Sequence, residues 1–226
     1  MYRSPSGRVS RFNLNASIED GALLAVLPDA VSCFTDARYE QRQRFDLAPT
    51  ASLLLLDWFT CGRLARGERW AFDRYHSRNE IFIGSVGGDS IGGPVAGSVG
   101  GALAGPFGAA PNGPTAGRRV VDDALNLDRA AGPIDAPFRL GRFNCMASAF
   151  IIGPAFATDA AAVLANVRAR KLERTGDLLI VASPIADHGT VVRIAGVNME
   201  LVGQTIRELL AFVATPLGEN PWSRKW

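Results

Sequence analysis

Residues 53–75 read LLLLDWFTCGRLARGERWAFDRY, two apolar runs around a charged turn. Leu53–Leu56 is long enough for one buried strand. Arg69–Tyr75 shows a second strand-like pattern, in which Trp70 and Phe72 share a face by two-residue alternation. Between the runs, GRLARGE sets Gly62 and Gly67 around Arg63 and Arg66, and Glu68 follows, beside Arg66 and Arg69. The glycines permit bends with positive φ. The arginines and Glu68 have to be solvated, or paired if the turn is covered. From the residues alone, this is a hydrophobic hairpin crowned by an ionic turn, an arrangement whose first role is structural.

Upstream, Arg38–Leu47 is the clearest strand. Tyr39, Gln41, Gln43, Phe45 and Leu47 take one face; Arg38, Glu40, Arg42, Arg44 and Asp46 take the other, which is wholly charged and so faces solvent or a partner. Asn13–Ile18 alternates as an edge strand, and the apolar Ala22–Leu27 ends at a Pro28-Asp29 turn. Downstream, Ile81–Ile83 is a short strand. Gly84–Gly105 is of low complexity, with glycine at 9 of 22 positions. With Pro106–Gly117 it reads as a flexible insertion at about 84–117, which cannot hold a packed core against backbone entropy. It contains no phosphate-cradling pattern. Asp122, Asp123 and Asp128 read as solvated loop acids without the spacing of a calcium loop. Arg139–Ile152 reads as a strand pair. Thr158 or Asp159 caps a helix over Ala160–Arg174, stopped by Gly176. Leu178–Val181 and Thr190–Ala195 are strands. A final helix, about Met199–Ala214, sets Met199, Val202, Ile206, Leu209 and Val213 on one stripe, and Pro216 ends it. The expected class is mainly β, with short, frequent strands and two α-helices in the C-terminal part; regular βαβ alternation is missing.

The chain has 226 residues, 47% of them hydrophobic and 20% charged, which suits one domain over 1–226 with a sizeable core. Its net charge of +2, from 24 basic and 22 acidic residues, is too balanced to point to nucleic acid. No apolar run approaches the roughly 20 residues of a membrane span, and no apolar segment follows MYRSPSGRVSRF as a secretory signal would require. Cys33, Cys61 and Cys145 are scattered and odd in number, which speaks for a reducing compartment and against a disulfide framework. No GxSxG elbow occurs, and His76 and His188 stand in no recognisable pairing with a nucleophile. A structural zinc site would want closely spaced Cys and His pairs, and these are missing. The residues therefore describe a non-catalytic binding or scaffold protein, with an unrecognised hydrolase using His76 or His188 as the remaining catalytic alternative.

LLLLDWFTCGRLARGERWAF, residues 53–72, resembles the central segment of the urease accessory protein D family (UreD, also UreH) in its eukaryotic, fungal-like form. LLAVLPDAVSCFTDARYEQRQRFDL, residues 23–47, is similar to the preceding family segment, and the expected helix before the C-terminal ENPWSRKW also resembles the family. The resemblance covers most of the chain apart from the glycine-rich interruption. Relatives carry a further N-terminal segment before the counterpart of Tyr2-Arg3-Ser4, so strands of the family domain are expected to be missing here, and a non-functional fragment is an alternative reading. The resemblance implies a β-helix-like stack of strands. It implies a cytoplasmic urease maturation protein that binds the urease apoprotein with UreF-like and UreG-like partners, without nucleic acid or membrane. It further implies an internal, water-filled route by which Ni²⁺ passes transiently, with no tightly bound cofactor. Such a route needs weak, replaceable oxygen ligands. Glu68, Asp36 and Asp57 are its candidate residues, each weighed against an Arg-paired structural carboxylate. Gly62, Arg63, Arg66, Gly67 and Arg193 are the candidate structural or partner-contacting positions.

Overall fold

The structure is a computed structural model and describes residues 7–84, 117–173 and 175–223. Two sheets face each other, and helices cover the outer side of the second. The first sheet has the order β1-β4-β6-β7, from β1 (Ser10–Ile18), β4 (Arg38–Leu47), β6 (Arg74–Ile83) and β7 (Arg118–Asp128). The second has the order β2-β5-β8-β10-β9, from β2 (Leu23–Val26), β5 (Ser52–Thr60), β8 (Cys145–Ile152), β10 (Gly189–Gly196) and β9 (Leu178–Pro184), with the two-residue β3 (Val31–Ser32) also on β5.

Through β6 the chain winds between the sheets. It passes from β1 to β2 and β3 in the second sheet, back to β4, over to β5 and back to β6. Each return lies parallel to the strand before it: β4 pairs β1 and β6, and β5 pairs β2 and β3. That is the β-helix-like stack in its simplest form. From β7 onward the pairing is antiparallel.

This layering explains the apolar run in β5. Leu53 and Leu55 point between the sheets, and Leu54 and Leu56 point to the helices; all four are completely buried. A strand covered on both faces has no use for alternation. The helical cover is α1 (Ala157–Ala169) and α2 (Met199–Leu209), whose Val163, Val167, Val202 and Ile206 pack on Leu54, Leu56 and Trp58.

Several sequence expectations are corrected. Arg69–Asp73 is not a strand, and β5 and β6 are not a hairpin. The connection carries the chain from one sheet to the other, with Trp70 at φ 52° and bonded from its amide to the Cys61 carbonyl at 2.8 Å. Trp70 and Phe72 are both buried in one cluster, but through loop geometry and not strand alternation. Residues 118–128 form a strand and not an acidic loop, because Arg78 on β6 pairs with Asp122 across the ladder. Residues 139–142 are turns and 143–144 are irregular, so β8 has no hairpin partner upstream. Helix α1 starts earlier and stops earlier than its apolar pattern suggests: Gly153 at φ 97° and Pro154 in a preceding 3-10 turn set its entry. Pro216 sits within a short terminal helix, α3 (Ala214–Leu217), where a first-turn N–H has no intrahelical partner to lose. Met199, at 47% exposure, lies off the buried stripe of α2. The glycine-rich insertion falls outside the described residues, except for its ends.

Candidate functional site

The GRLARGE turn folds back on itself. Gly62 and Gly67 both have positive φ, 108° and 74°, on either side of a 3-10 turn over Leu64–Arg66. A Cβ on Gly62 would lie 2.7 Å from the Glu68 carbonyl oxygen, so only glycine allows the two ends this close. Arg63 donates through Nε to Glu68 Oε2 at 3.0 Å and through Nη2 to Oε1, and its guanidinium lies 4.1 Å over the Phe34 ring. Glu68 also accepts from the Thr35 amide. The Arg63 bonds hold its carboxyl below the usual carboxylate range. The partner of Glu68 is therefore Arg63, where the sequence suggested Arg66 and Arg69. Arg66 is exposed and has no ion-pair partner among the described residues. Asp36, at φ 58°, pairs with Arg129 at 2.8 Å on an exposed loop. Glu68 and Asp36 thus fit Arg-paired structural carboxylates at one end of the sandwich.

Asp57 is placed differently. On the inner face of the second sheet it stands in one row with Ser148 on β8 and Arg193 on β10. On the inner face of the first sheet, Gln43, Asn79 and Asp123 form another row across β4, β6 and β7. These rows meet as a polar seam through the sandwich. Asp57 accepts from Gln41 Nε2 at 3.0 Å, Ser77 Oγ at 2.8 Å and Asn79 Nδ2 at 2.8 Å. Gln43 Nε2 donates to Asn79 Oδ1 at 2.9 Å, and the Tyr39 hydroxyl donates to Gln41 Oε1 at 2.9 Å. Arg193 reaches across from the second sheet to pair with Asp123, closing the seam at a rim where Arg193 is 45% exposed.

Apolar layers bound the seam on both sides. Phe45, Leu55, Ile81 and Phe150 lie on one side; Tyr39, Phe59, Tyr75 and Leu127 lie on the other. Polar groups in such a position are expensive unless bonded, and this network bonds Gln41, Gln43, Asp57, Ser77 and Asn79. Burial pushes the Tyr75 hydroxyl well above its ordinary range, so it stays protonated beside Asp57. Asp36, Asp57 and Glu68 do not converge. Among the described residues, no group of three or more His, Cys, Asp or Glu side chains is placed to hold a metal ion.

Of the uncharged seam side chains, Gln41 and Gln43 are on the strand that the sequence marks most clearly. Gln41 and Gln43 occupy inward positions of β4, between Tyr39 and Phe45, where alternation demands apolar residues. That mismatch is the signal that singles them out. Ser77, Asn79, Asp123 and Ser148 carry no such mark, since only the pairing of β6, β7 and β8 turns them inward.

The hydrolase alternative finds no support in the geometry. His76 lies near the start of β6, buried, with its imidazole pKa pushed down by burial and then by Arg74. His188 lies in the β9–β10 turn against Arg118, at the far end of β7 from the Asn126 that pairs with His76. Burial raises the Cys33 and Cys145 thiols to about 12, so neither is a thiolate nucleophile at neutral pH. A hollow of about 330 Å³ on the outer face of the first sheet is lined by Arg38, Asp73, Arg74, Asp128 and Arg129, whose charges pair with one another. No helix among the described residues is long and apolar enough to cross a membrane.

Comparison with known proteins gives this geometry its context. The family described as UreD urease accessory protein matches the chain over residues 1–226. A urease accessory protein UreD of Sorangium cellulosum is 40% identical over 226 residues, covering 100% of the chain and 60% of that relative. A second, from Anaeromyxobacter sp., is 39% identical over 224 residues, covering 99% of the chain and 64% of the relative. The fungal urease accessory protein 4 of Cryptococcus neoformans is 29% identical over 242 residues, covering 98% of the chain and 64% of the relative. The chain spans about three fifths of the length of these relatives, and across that whole span it is a member of the UreD urease accessory protein family.

Proposed function

We propose that the chain is a non-catalytic urease maturation factor of the cytoplasm. In this reading it binds the urease apoprotein together with UreF-like and UreG-like accessory proteins, and lets Ni²⁺ pass to the urease active site. Family membership supports the maturation role. The observation that carries the mechanism is the polar seam: a core that apolar side chains would fill more cheaply instead holds a carboxylate, amides and hydroxyls in two facing rows.

Its donor set suits transit. Ni²⁺ held by several imidazoles or thiolates is trapped, whereas one carboxylate with amide and hydroxyl oxygens binds weakly and exchanges. Gln41, Gln43 and Asn79 now turn N–H groups to their acceptors, and rotation of an amide presents oxygen in place of nitrogen. Asp57 supplies the fixed negative charge. Glu68 and Asp36, held by Arg63 and Arg129, act in this reading as supports for the loops and not as ligands.

The test is Asp57→Asn, with the protein co-expressed with urease and its accessory proteins. The variant keeps the shape of the side chain and removes its charge, while its own N–H₂ faces the donors of the seam. If Asp57 serves the metal, the accessory complex still assembles, and the nickel content of recovered urease falls several-fold. If the seam only sets the register of the two sheets, thermal stability and complex assembly fall together, by about 1–3 kcal/mol for an unsatisfied buried group. Normal nickel content with normal assembly removes Asp57 from the function. Failure of the unmodified protein to restore urease activity in a cell lacking its own homologue would overturn the maturation assignment itself.

A further inference from the structure

One edge of the second sheet is open and carries no charge. β9 is the end strand of that sheet and is paired on one side only, with β10. Its sequence, LLIVASP over Leu178–Pro184, contains no charged residue. The ladder fixes which backbone groups point outward. The Ile185 amide bonds to the Gly189 carbonyl at 2.8 Å, and the Val197 amide to the Asp177 carbonyl at 3.0 Å. By alternation from both ends, Leu179, Val181 and Ser183 turn their backbone groups to β10, and Leu178, Ile180, Ala182 and Pro184 turn theirs to the open edge. Pro184, which has no N–H, therefore stands where the ladder needs none.

The inner face of this strand is uncovered as well. Leu178, Ile180 and Ala182 pack beneath the helices. Leu179 and Val181 stand on the other face, beside Ala195 and Arg193 of β10, and belong to none of the apolar clusters. The first sheet ends at β7, whose Asp123 meets Arg193, so β9 overhangs it and Val181 is 43% exposed. Free edges are ordinarily blunted by charge or by shortness. The edge strands β1 and β7 carry arginines, and β2 has 4 residues. β9 has 7 residues and neither device.

We propose that β9 is a dimerisation edge and that its occupant is β9 of a second copy of this chain, antiparallel about a two-fold axis at Ile180. In this register Leu178 exchanges backbone bonds with Ala182 of the second copy, and Ile180 with its own counterpart. Leu179 of each copy lies against Val181 of the other, which covers the exposed valine. Asp177 falls opposite Ser183, so no like charges meet. A strand carrying charge would set it against Leu179 or Val181, whereas β9 meets itself apolar to apolar. A single strand from each copy makes a small interface, so the dimer is a weak one, dissociating in about the micromolar range.

The test is sedimentation velocity of the full chain from about 1 μM to about 100 μM. The expected result is a reversible shift from the 24.1 kDa monomer toward twice that mass. Val181→Glu, whose charge faces Arg193 within one copy but Leu179 across the axis, should abolish the shift. The register is read by mixing Leu179→Cys chains with Val181→Cys chains under mild oxidation. The native cysteines are all buried, and a cross-strand pair without hydrogen bonds brings its Cα atoms to about 4.5 Å, within reach of a disulfide. The mixed disulfide should exceed either symmetric one several-fold, and this readout decides the matter if Val181→Glu melts early. A chain that stays monomeric throughout, with no excess of mixed disulfide, overturns the proposal. So does a dimer that Val181→Glu leaves intact, since it then forms elsewhere. Species that grow past the dimer mean that β9 meets a different edge, and overturn the two-fold pairing. A monomeric chain whose Val181→Glu variant loses capture of a co-expressed accessory protein gives the edge to that protein and overturns the second copy as its occupant.

Discussion

At the scale of single residues, the pairing of Glu68 shows how geometry selects among charges. Three arginines, at 63, 66 and 69, are within reach along the sequence. The turn curls so that Arg63 closes onto Glu68, while Arg69 is drawn away to Asp135, Gly141 and Asn144. Hydrogen bonding from Arg63 lowers the Glu68 pKa from its ordinary value near 4.5. A carboxyl depressed in the folded state contributes stability above its unfolded pKa, and loses it as pH falls through the folded value. Glu68→Gln should therefore lower the melting temperature at neutral pH, and the gap from the unmodified protein should close as the pH is taken below about 4.3. A gap that stays constant down to acid pH would mean that the charge of Glu68 contributes nothing to the turn.

The elements differ in how plainly their sequences announce them. Strand β4 spans the residues that its alternation implies, because one face is covered and the other is not. Its outer charges are not simply solvated: Arg42 pairs with Glu80 at 2.8 Å and Arg44 with Asp46 at 2.8 Å, across and along the sheet. Strand β5 hides its extent, since burial on both faces erases the period of alternation. In helix α2 the apolar stripe is legible but its outer member is not. Val202 and Ile206 are buried at 0% and 2%, whereas Met199 is half exposed in the first turn, behind the Asn198 cap. Ile206→Ala should then cost about 2–5 kcal/mol in denaturant unfolding, and Met199→Ala no more than about 0.5 kcal/mol. Equal costs for the two would show that the helix packs through a different face.

At the scale of the whole molecule, the ends of the glycine-rich insertion are neighbours. Ile83 and Arg118 are paired across β6 and β7, and the Gly84 amide bonds to the Leu47 carbonyl at 3.0 Å. A hairpin loop of a few residues suffices to join such ends. Replacing residues 85–116 with a short Gly/Ser linker should keep the sandwich intact and shift the melting temperature by no more than about 4 °C, since closure entropy changes slowly with loop length. Loss of soluble protein would show that the segment contributes to the core.

What the sequence by itself determined is the class and most of the elements: mainly β, two principal helices late in the chain, the strand at Arg38–Leu47, and the family through residues 23–47, 53–72 and the last helix. These are local properties, since periodicity, turn chemistry and motif identity are written in neighbouring residues. The tertiary structure alone decided that Arg69–Asp73 crosses between sheets, that Asp122 sits on a strand, and that Asp57 lies in a polar seam while Glu68 and Asp36 do not. Asp57 depends on Ser77, 20 positions away, and Asp36 on Arg129, 93 positions away. The physical reason is that a charge reads the same in any sequence window; whether it is solvated, paired or buried is set by which strand the fold lays opposite it.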